Sequence, residues 1–177
     1  MFIYVTYGEN LEELFNINVT NNILLDYVKT HTRAKMLEQI NEKKYMTDST
    51  LDDLQRDLER KQKIQGDVEN PDDESDDIKE TKTAISAWET FLNQELKPYL
   101  DILNSKDLVI DLQGDANLNL SESPTAYAKD SGLEPKQSVK LVYKISNDSD
   151  WQTLSYSLKS PNDVEKDTSA TREEDGA

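Results

Sequence analysis

The residues able to do chemistry are unevenly supplied. Histidine occurs once, at His31, and cysteine not at all. A thiolate nucleophile, a disulfide and any cysteine or multi-histidine metal site are thereby excluded, and zinc with them. Carboxylates are abundant. They are densest in "GDVENPDDESDDIKE" (66–80), where Asp67, Glu69, Asp72, Asp73, Glu74, Asp76, Asp77 and Glu80 stand against the single base Lys79. A calcium loop needs alternating oxygen ligands, a central glycine and a terminal bidentate glutamate, and this run has none of the three. It reads as a solvated connector. His31 has no second ligand or nucleophile nearby and reads as a boundary residue on a helix. Nowhere is there a glycine-rich phosphate loop, and the scattered carboxylates do not converge on a pocket. The expectation is a protein with no catalytic, cofactor-binding or metal-ligating residues, no evident small-molecule substrate and no enzymatic activity.

Charge narrows the partners. Among 177 residues, 36 acids stand against 20 bases, for a formal net charge of −16. Such a field repels nucleic acid and anionic lipid. With 35% hydrophobic and 32% charged residues, a small core with solvated extensions is expected. No basic-then-apolar leader and no stretch of membrane-spanning length is evident, so an intracellular, cytoplasmic protein is the default. Two sequons, at Asn18 and Asn147, would matter only after secretory entry.

The elements that would position any functional surface begin at the first residues. "FIYVTY" (2–7) is a strand, with Ile3 and Val5 on its aliphatic face and Phe2, Tyr4 and Thr6 on the other. Gly8-Glu9-Asn10 is turn chemistry, and Phe15, Ile17 and Val19 alternate as a returning strand. Thr20 and Asn21 suit a helix start, and Ile23, Leu24, Tyr27, Val28 and His31 follow at helical spacing. A two-stranded sheet cannot stand alone in water. The missing strands lie far along the chain: Leu108–Leu112, a brief return through Leu118 and Leu120, and the alternation of Val139, Leu141, Tyr143 and Ile145. Hairpin, helix, strand and a last strand beside the first describe a β-grasp in an α+β chain.

"MFIYVTYGEN…NIN…LLDYVK" together with "VIDLQGD…L…YAKDSGLEPKQSVKLVYKI" resembles an uncharacterised family of small animal proteins known by open-reading-frame names, one encoded beside the interleukin-2 receptor gamma chain gene. The resemblance covers about residues 1–31 and 108–145, and implies a ubiquitin-like N-terminal domain. It lends no activity. Ubiquitin's conjugating device is a terminal glycine pair, and this chain ends Asp175-Gly176-Ala177. A ubiquitin-like modifier is therefore the alternative reading rather than the leading one. Matching "VIDLQGD" to ubiquitin places Asp111 where the receptor-binding patch has its central isoleucine, with Lys140 and Val142 on the neighbouring strand. A carboxylate pressed unpaired into an apolar receptor pocket costs several kcal/mol, so ordinary ubiquitin receptors are not expected to bind there.

The organisation that follows is a discontinuous domain, 1–32 with 108–145, split by a helical insertion, 33–107. In that insertion a first helix is expected to end near Met46, and Ser49 or Thr50 to cap a second, striped by Leu51, Leu54 and Leu58 and ended by Gly66. After the acidic linker 66–77, Ile78, Ile85, Leu92 and Tyr99 recur every seven residues. Their companions are Thr81, Trp88, Glu95 and Ile102, with Leu96 and Leu103 beside them, a coiled-coil-like seam weakened at Thr81 and Glu95 that Pro98 kinks or restarts. Two antiparallel arms are expected to pair within the chain. Trp88 and Phe91 are candidate partner anchors, although aromatic residues at helical spacing more often pack into their own core. Residues 146–177 read as a mostly disordered tail, although Trp151, Leu154, Tyr156 and Leu158 can pack locally. Ser75, beside Asp76 and Asp77, and Ser160, before Pro161, resemble kinase sites. The function expected is a non-catalytic protein–protein interaction module, with Trp88, Phe91, Lys140 and Val142 as possible partner-binding residues.

Overall fold

A computed structural model describes residues 1–65, 75–115, 118–146 and 149–163. It is α+β, with a mixed sheet and a long helix, and it divides into two compact units. The first is 1–39 with 100–157; the second is 40–99 with the described residues from 158 onward. Both divisions, 39/40 and 99/100, fall inside the expected insertion of 33–107.

In the first unit, β1 (Phe2–Tyr7) and β2 (Leu11–Asn16) form an antiparallel hairpin. The turn between them is tight because Gly8 and Asn10 both take positive φ, +56° and +58°. A Cβ on Gly8 would also sit 3.1 Å from the Met36 side chain, which would have to give way by a few tenths of an ångström. β3 (Val109–Gln113) pairs antiparallel with β4 (Ser138–Lys144), and β4 lies parallel to β1, giving the order β2-β1-β4-β3. Ile3, Val5, Tyr7, Val139, Leu141, Leu112 and Ile110 are buried on one face of this sheet. α1 (Asn21–Gln65) contributes buried Leu24, Leu25, Val28 and Met36 to the same unit.

The expected break in the helix near residue 46 does not occur. No glycine or proline lies between 21 and 65. Thr47 and Thr50, near the supposed cap, instead donate back to the carbonyls of Lys43 and Met46 at 2.8 and 2.9 Å, which leaves the ladder intact. The return strand through Leu118 and Leu120 is replaced by a single 3-10 turn, Leu120–Glu122.

Of the tail expected from 146, residues 149–163 are described, with the local packing expected at Leu154, Tyr156 and Leu158, and 164–177 lies outside the described residues. β1 pairs with β4 only as far as Thr6↔Lys140, because the chain turns away at Gly8. The next backbone groups of β4 on that side would be orphaned. β5 (Gln152–Thr153) fills the place, and Leu154 N–H donates to the Leu141 carbonyl at 2.9 Å. Gly8 N–H then donates to Leu154, and Tyr156 N–H to Gly8, at 2.9 and 3.1 Å. Leu154 and Tyr156 are buried.

In the second unit the later part of α1 runs antiparallel to α2 (Asp76–Thr90). Lys61 Nζ donates to Thr81 Oγ1 at 2.9 Å, and Ser75 N–H to Gln65 Oε1 at 3.4 Å. Of the expected acidic linker, 66–74 lies outside the described residues, while Asp76 and Asp77 occupy the first turn of α2, where the helix dipole favours acids. α2 passes through a π-helical segment, Phe91–Leu96, into α3 (Lys97–Asn104). Pro98 has no N–H and its ring crowds the carbonyl four residues back, which a widened turn relieves. The extra residue per turn shifts the seam by one. Glu95, expected inward, is exposed, and Leu96 is fully buried in its place.

The tail strand gives the first test. Leu154→Ala is expected to lower unfolding free energy by about 2–5 kcal/mol, the usual cost of emptying a buried leucine site. An unchanged urea midpoint would mean that the segment after 146 does not belong to the core.

Candidate partner-binding surface

The sheet face away from the core is built by the alternate residues Phe2, Tyr4 and Thr6 of β1, Glu12, Leu14 and Asn16 of β2, Lys140, Val142 and Lys144 of β4, and Val109, Asp111 and Gln113 of β3. Its two halves have opposite fates. Over β3 and β4 the face is closed. Asp111, expected at an exposed position, is 0% exposed, and its carboxylate is saturated. Oδ1 accepts from the backbone N–H groups of Leu112 (2.8 Å) and Leu120 (3.1 Å). Oδ2 accepts from the N–H (3.1 Å) and the hydroxyl (2.8 Å) of Ser121. The three charge-assisted bonds from Leu120 and Ser121 hold that segment to β3, directly beside Val142, the ladder partner of Asp111. Val142 is consequently 1% exposed, and its expected role as a contact residue is corrected. Lys144 lies with its ammonium 4.7 Å from the centre of the Trp151 ring.

Over β1 and β2 the face is open. Phe2 and Leu14 are 53% and 57% exposed. Tyr4 stands directly across the ladder from Leu14 and is half-buried, and exposed Lys140 lies beside Thr6. This apolar strip sits on a unit whose core is already filled from the other face. The signal for it is present in the sequence. Ile3, Val5 and Tyr7 suffice for the inward face of β1, so Phe2 and Tyr4 have no inward employment.

Trp88 and Phe91 belong to the second unit and so are not grouped with Lys140 and Val142. Their rings meet edge to face, 6.0 Å between centroids, and they are 8% and 5% exposed. As free-standing anchors they are unavailable.

Among the described residues, an ionisable cluster with perturbed groups joins β2 to α1. Glu13, on the inward side of β2, meets Lys35 Nζ and lies 2.9 Å from His31 Nε2. His31 stacks on Tyr27 and meets Phe15 edge-on, which places it at the boundary of the core, as its sequence position implies. Burial, followed by the charge of Glu13, raises the pKa of the Tyr7 hydroxyl far above the ordinary tyrosine range. For Glu13 burial acts upward, but Lys35, the Tyr7 hydroxyl and His31 outweigh it and hold the carboxyl below its ordinary value. The arrangement clamps a helix to a strand. Among the described residues no group of three or more His, Cys, Asp or Glu could hold a metal ion, and no helix is long and apolar enough to cross a membrane.

Two outcomes follow. Asp111→Asn keeps the shape but turns an N–H donor toward Ser121. It is expected to cost about 2–4 kcal/mol, as befits a broken buried charged network, and a loss of a few tenths would dissolve the network as described. Glu13 has a depressed folded pKa, so its contribution is complete above its unfolded pKa of about 4.3 and is lost as pH falls through the lower folded value. Glu13→Gln is therefore expected to be less stable than wild type at pH 7 and to lose less stability below pH ~4. Parallel pH–melting curves for the two proteins would contradict the clamp.

No protein-family model matches this chain, and neither a curated protein nor a solved structure resembles it significantly.

Proposed function

We propose that this chain is a non-catalytic protein–protein interaction module: a ubiquitin-like β-grasp, of the kind its sequence resembles, joined to a coiled-coil-like helical hairpin. The order hairpin, helix, strand and parallel return beside β1 supports the β-grasp reading. The Lys61–Thr81 bond supports the pairing of the hairpin within the chain. The observation that carries the function is the open Phe2–Leu14 strip beside a closed half-face. Fully burying a Phe or Leu side chain is worth about 1.5–3 kcal/mol, so the two supply a modest anchor, enough for a reversible contact once the costs of association are subtracted. The contact face differs from the one that ubiquitin receptors use, since the corresponding positions here are Asp111 and Val142, both internal. Glu12 and Lys140 stand on either side of Thr6 in one ladder row, at one end of the strip, which favours a partner with an apolar centre and charges of both signs at that end of its rim.

The test is a double substitution, Phe2→Ser with Leu14→Ser. Both side chains are more than half exposed, so melting temperature and far-ultraviolet circular dichroism are expected to stay near wild type. Proteins that co-purify quantitatively with the wild-type chain are expected to be lost. An undiminished set of co-purifying proteins, with the fold intact, would refute the strip as the interaction surface.

A further inference from the structure

β2 ends the sheet order, and the direction of its backbone groups is fixed by its neighbours. Tyr4 N–H donates to the Gln137 carbonyl at 2.9 Å, and Lys136 N–H to the Phe2 carbonyl at 2.7 Å, so the even residues of β1 turn their backbone groups toward β4. The odd ones then face β2, and at the end of that ladder Ile17 N–H donates to the Met1 carbonyl at 3.0 Å. Backbone direction alternates along a strand. With Ile3 across from Phe15 and Val5 across from Glu13, it is Glu12, Leu14 and Asn16 whose N–H and C=O groups point off the edge of the sheet. The same three residues place their side chains on the open outer face. On the core side of this edge α1 presents Tyr27, more than half exposed, its ring 5.8 Å from that of Phe15 and stacked on His31. The edge is thus flanked by apolar surface on both faces, Leu14 on the outer one and Tyr27 on the inner.

We propose that the partner is an extended basic peptide segment that adds to β2 as a further antiparallel strand, a step that rests on the interaction surface proposed above and names its occupant. An unpaired strand edge is a template for such addition, because the incoming backbone finds partners for its own N–H and C=O groups there. The alternation of the pleat then sets which side chains the segment needs. Its residue across from Leu14 lies on the outer face and is apolar. Its residue across from Phe15 turns to the core side, toward the exposed ring of Tyr27, and is apolar as well. Its residue across from Glu12 returns to the outer face, where an arginine or lysine answers an exposed carboxylate. In antiparallel order this reads as two adjacent apolar residues, one further residue, then a basic one. Glu13 does not compete for the basic residue, because His31 and Lys35 engage it. The net charge of −16 draws a cationic segment toward the edge and holds off a second copy of the chain.

The experiment uses the full chain and a fluorescein-labelled peptide, Gly-Ser-Thr-Val-Ile-Thr-Arg-Ser-Gly, whose Val, Ile and Arg meet Phe15, Leu14 and Glu12 in this register. Saturable binding is expected by fluorescence anisotropy, weakening as salt rises. Glu12→Lys is expected to weaken it by about tenfold or more, with the melting temperature near wild type. N-methylation of the peptide at Ile, whose N–H faces β2, is expected to abolish binding. The same methyl on the Thr that follows, whose N–H faces solvent, is expected to leave binding unchanged. Amide hydrogen exchange at Glu12, Leu14 and Asn16 is expected to slow severalfold when the peptide is bound. A peptide that does not bind, or that binds equally well with Ile N-methylated, would overturn strand addition. So would a Leu14 amide that exchanges as fast with the peptide as without it. The open strip would survive each of these results if Phe2→Ser with Leu14→Ser still loses the co-purifying proteins; both readings would fall together if that variant loses none.

Discussion

A buried carboxylate decides which half of the sheet this protein shows. Asp111 lies on the face of β3 that strand alternation turns outward, where a charge is ordinarily left to water. Here it is enclosed and satisfied by four donors, three backbone N–H groups and the Ser121 hydroxyl. An unpaired buried charge would be prohibitive, so the loop that supplies the donors is bound to stay wherever the charge stays. Asn119 at φ +49° and the 3-10 turn of Leu120–Glu122 are the local adjustments that aim those donors. Val142 is sealed as a result, and the open apolar strip is left to β1 and β2.

A second constraint is the length mismatch between β1 and β4. Hydrogen-bonding groups in a sheet must be paired somewhere, and β1 stops at Gly8 before β4 does. The residues that complete β4 come from well beyond the hairpin-and-helix framework, through β5 and Leu154. This explains why a segment with so little periodicity is ordered. Its strand pairs are few, and it is held by the vacancy it fills. The same segment goes on to deliver buried Leu158 to the second unit, so what reads as a tail is part of both.

These two constraints also mark where the sequence was legible. β1, β3, β4 and the start of α1 are readable because each carries its own signal: alternation in Ile3-Val5 and Val139-Leu141-Tyr143, a polar start at Thr20-Asn21, and a stripe through Leu24 and Val28. The outward facing of Asp111 follows from alternation as well. That a loop covers it does not, because the donors lie nine and ten residues away and are mostly backbone groups that any sequence possesses. The continuity of α1 was obscured by Ser49 and Thr50, whose hydroxyls suit a cap and a back-bonded helix interior equally well. The seam of α2 was legible up to Trp88. Glu95 at a supposed core position was the anomaly, and Pro98 its cause, since the π-helical segment before the proline rotates Leu96 inward instead.

The distribution of charge bears on what the open strip is for. β2 is an edge of the sheet, and an edge strand offers unpaired backbone groups to any passing strand. Glu12 and Glu13 sit on that edge, one on each face, and the chain as a whole carries −16. Two copies approaching edge to edge would set these acids against one another under a long-range repulsion that the net charge supplies. Glu13 is committed inward to His31 and Lys35 and adds less to this, which leaves Glu12 and Glu9 as the nearest outward acids. The electrostatics therefore work against a second copy of the chain at this edge, while leaving Phe2 and Leu14 exposed and uncharged on the sheet face. If the strip is the interaction surface proposed above, the acids of the β2 edge oppose pairing with a second copy and favour a partner of different sequence.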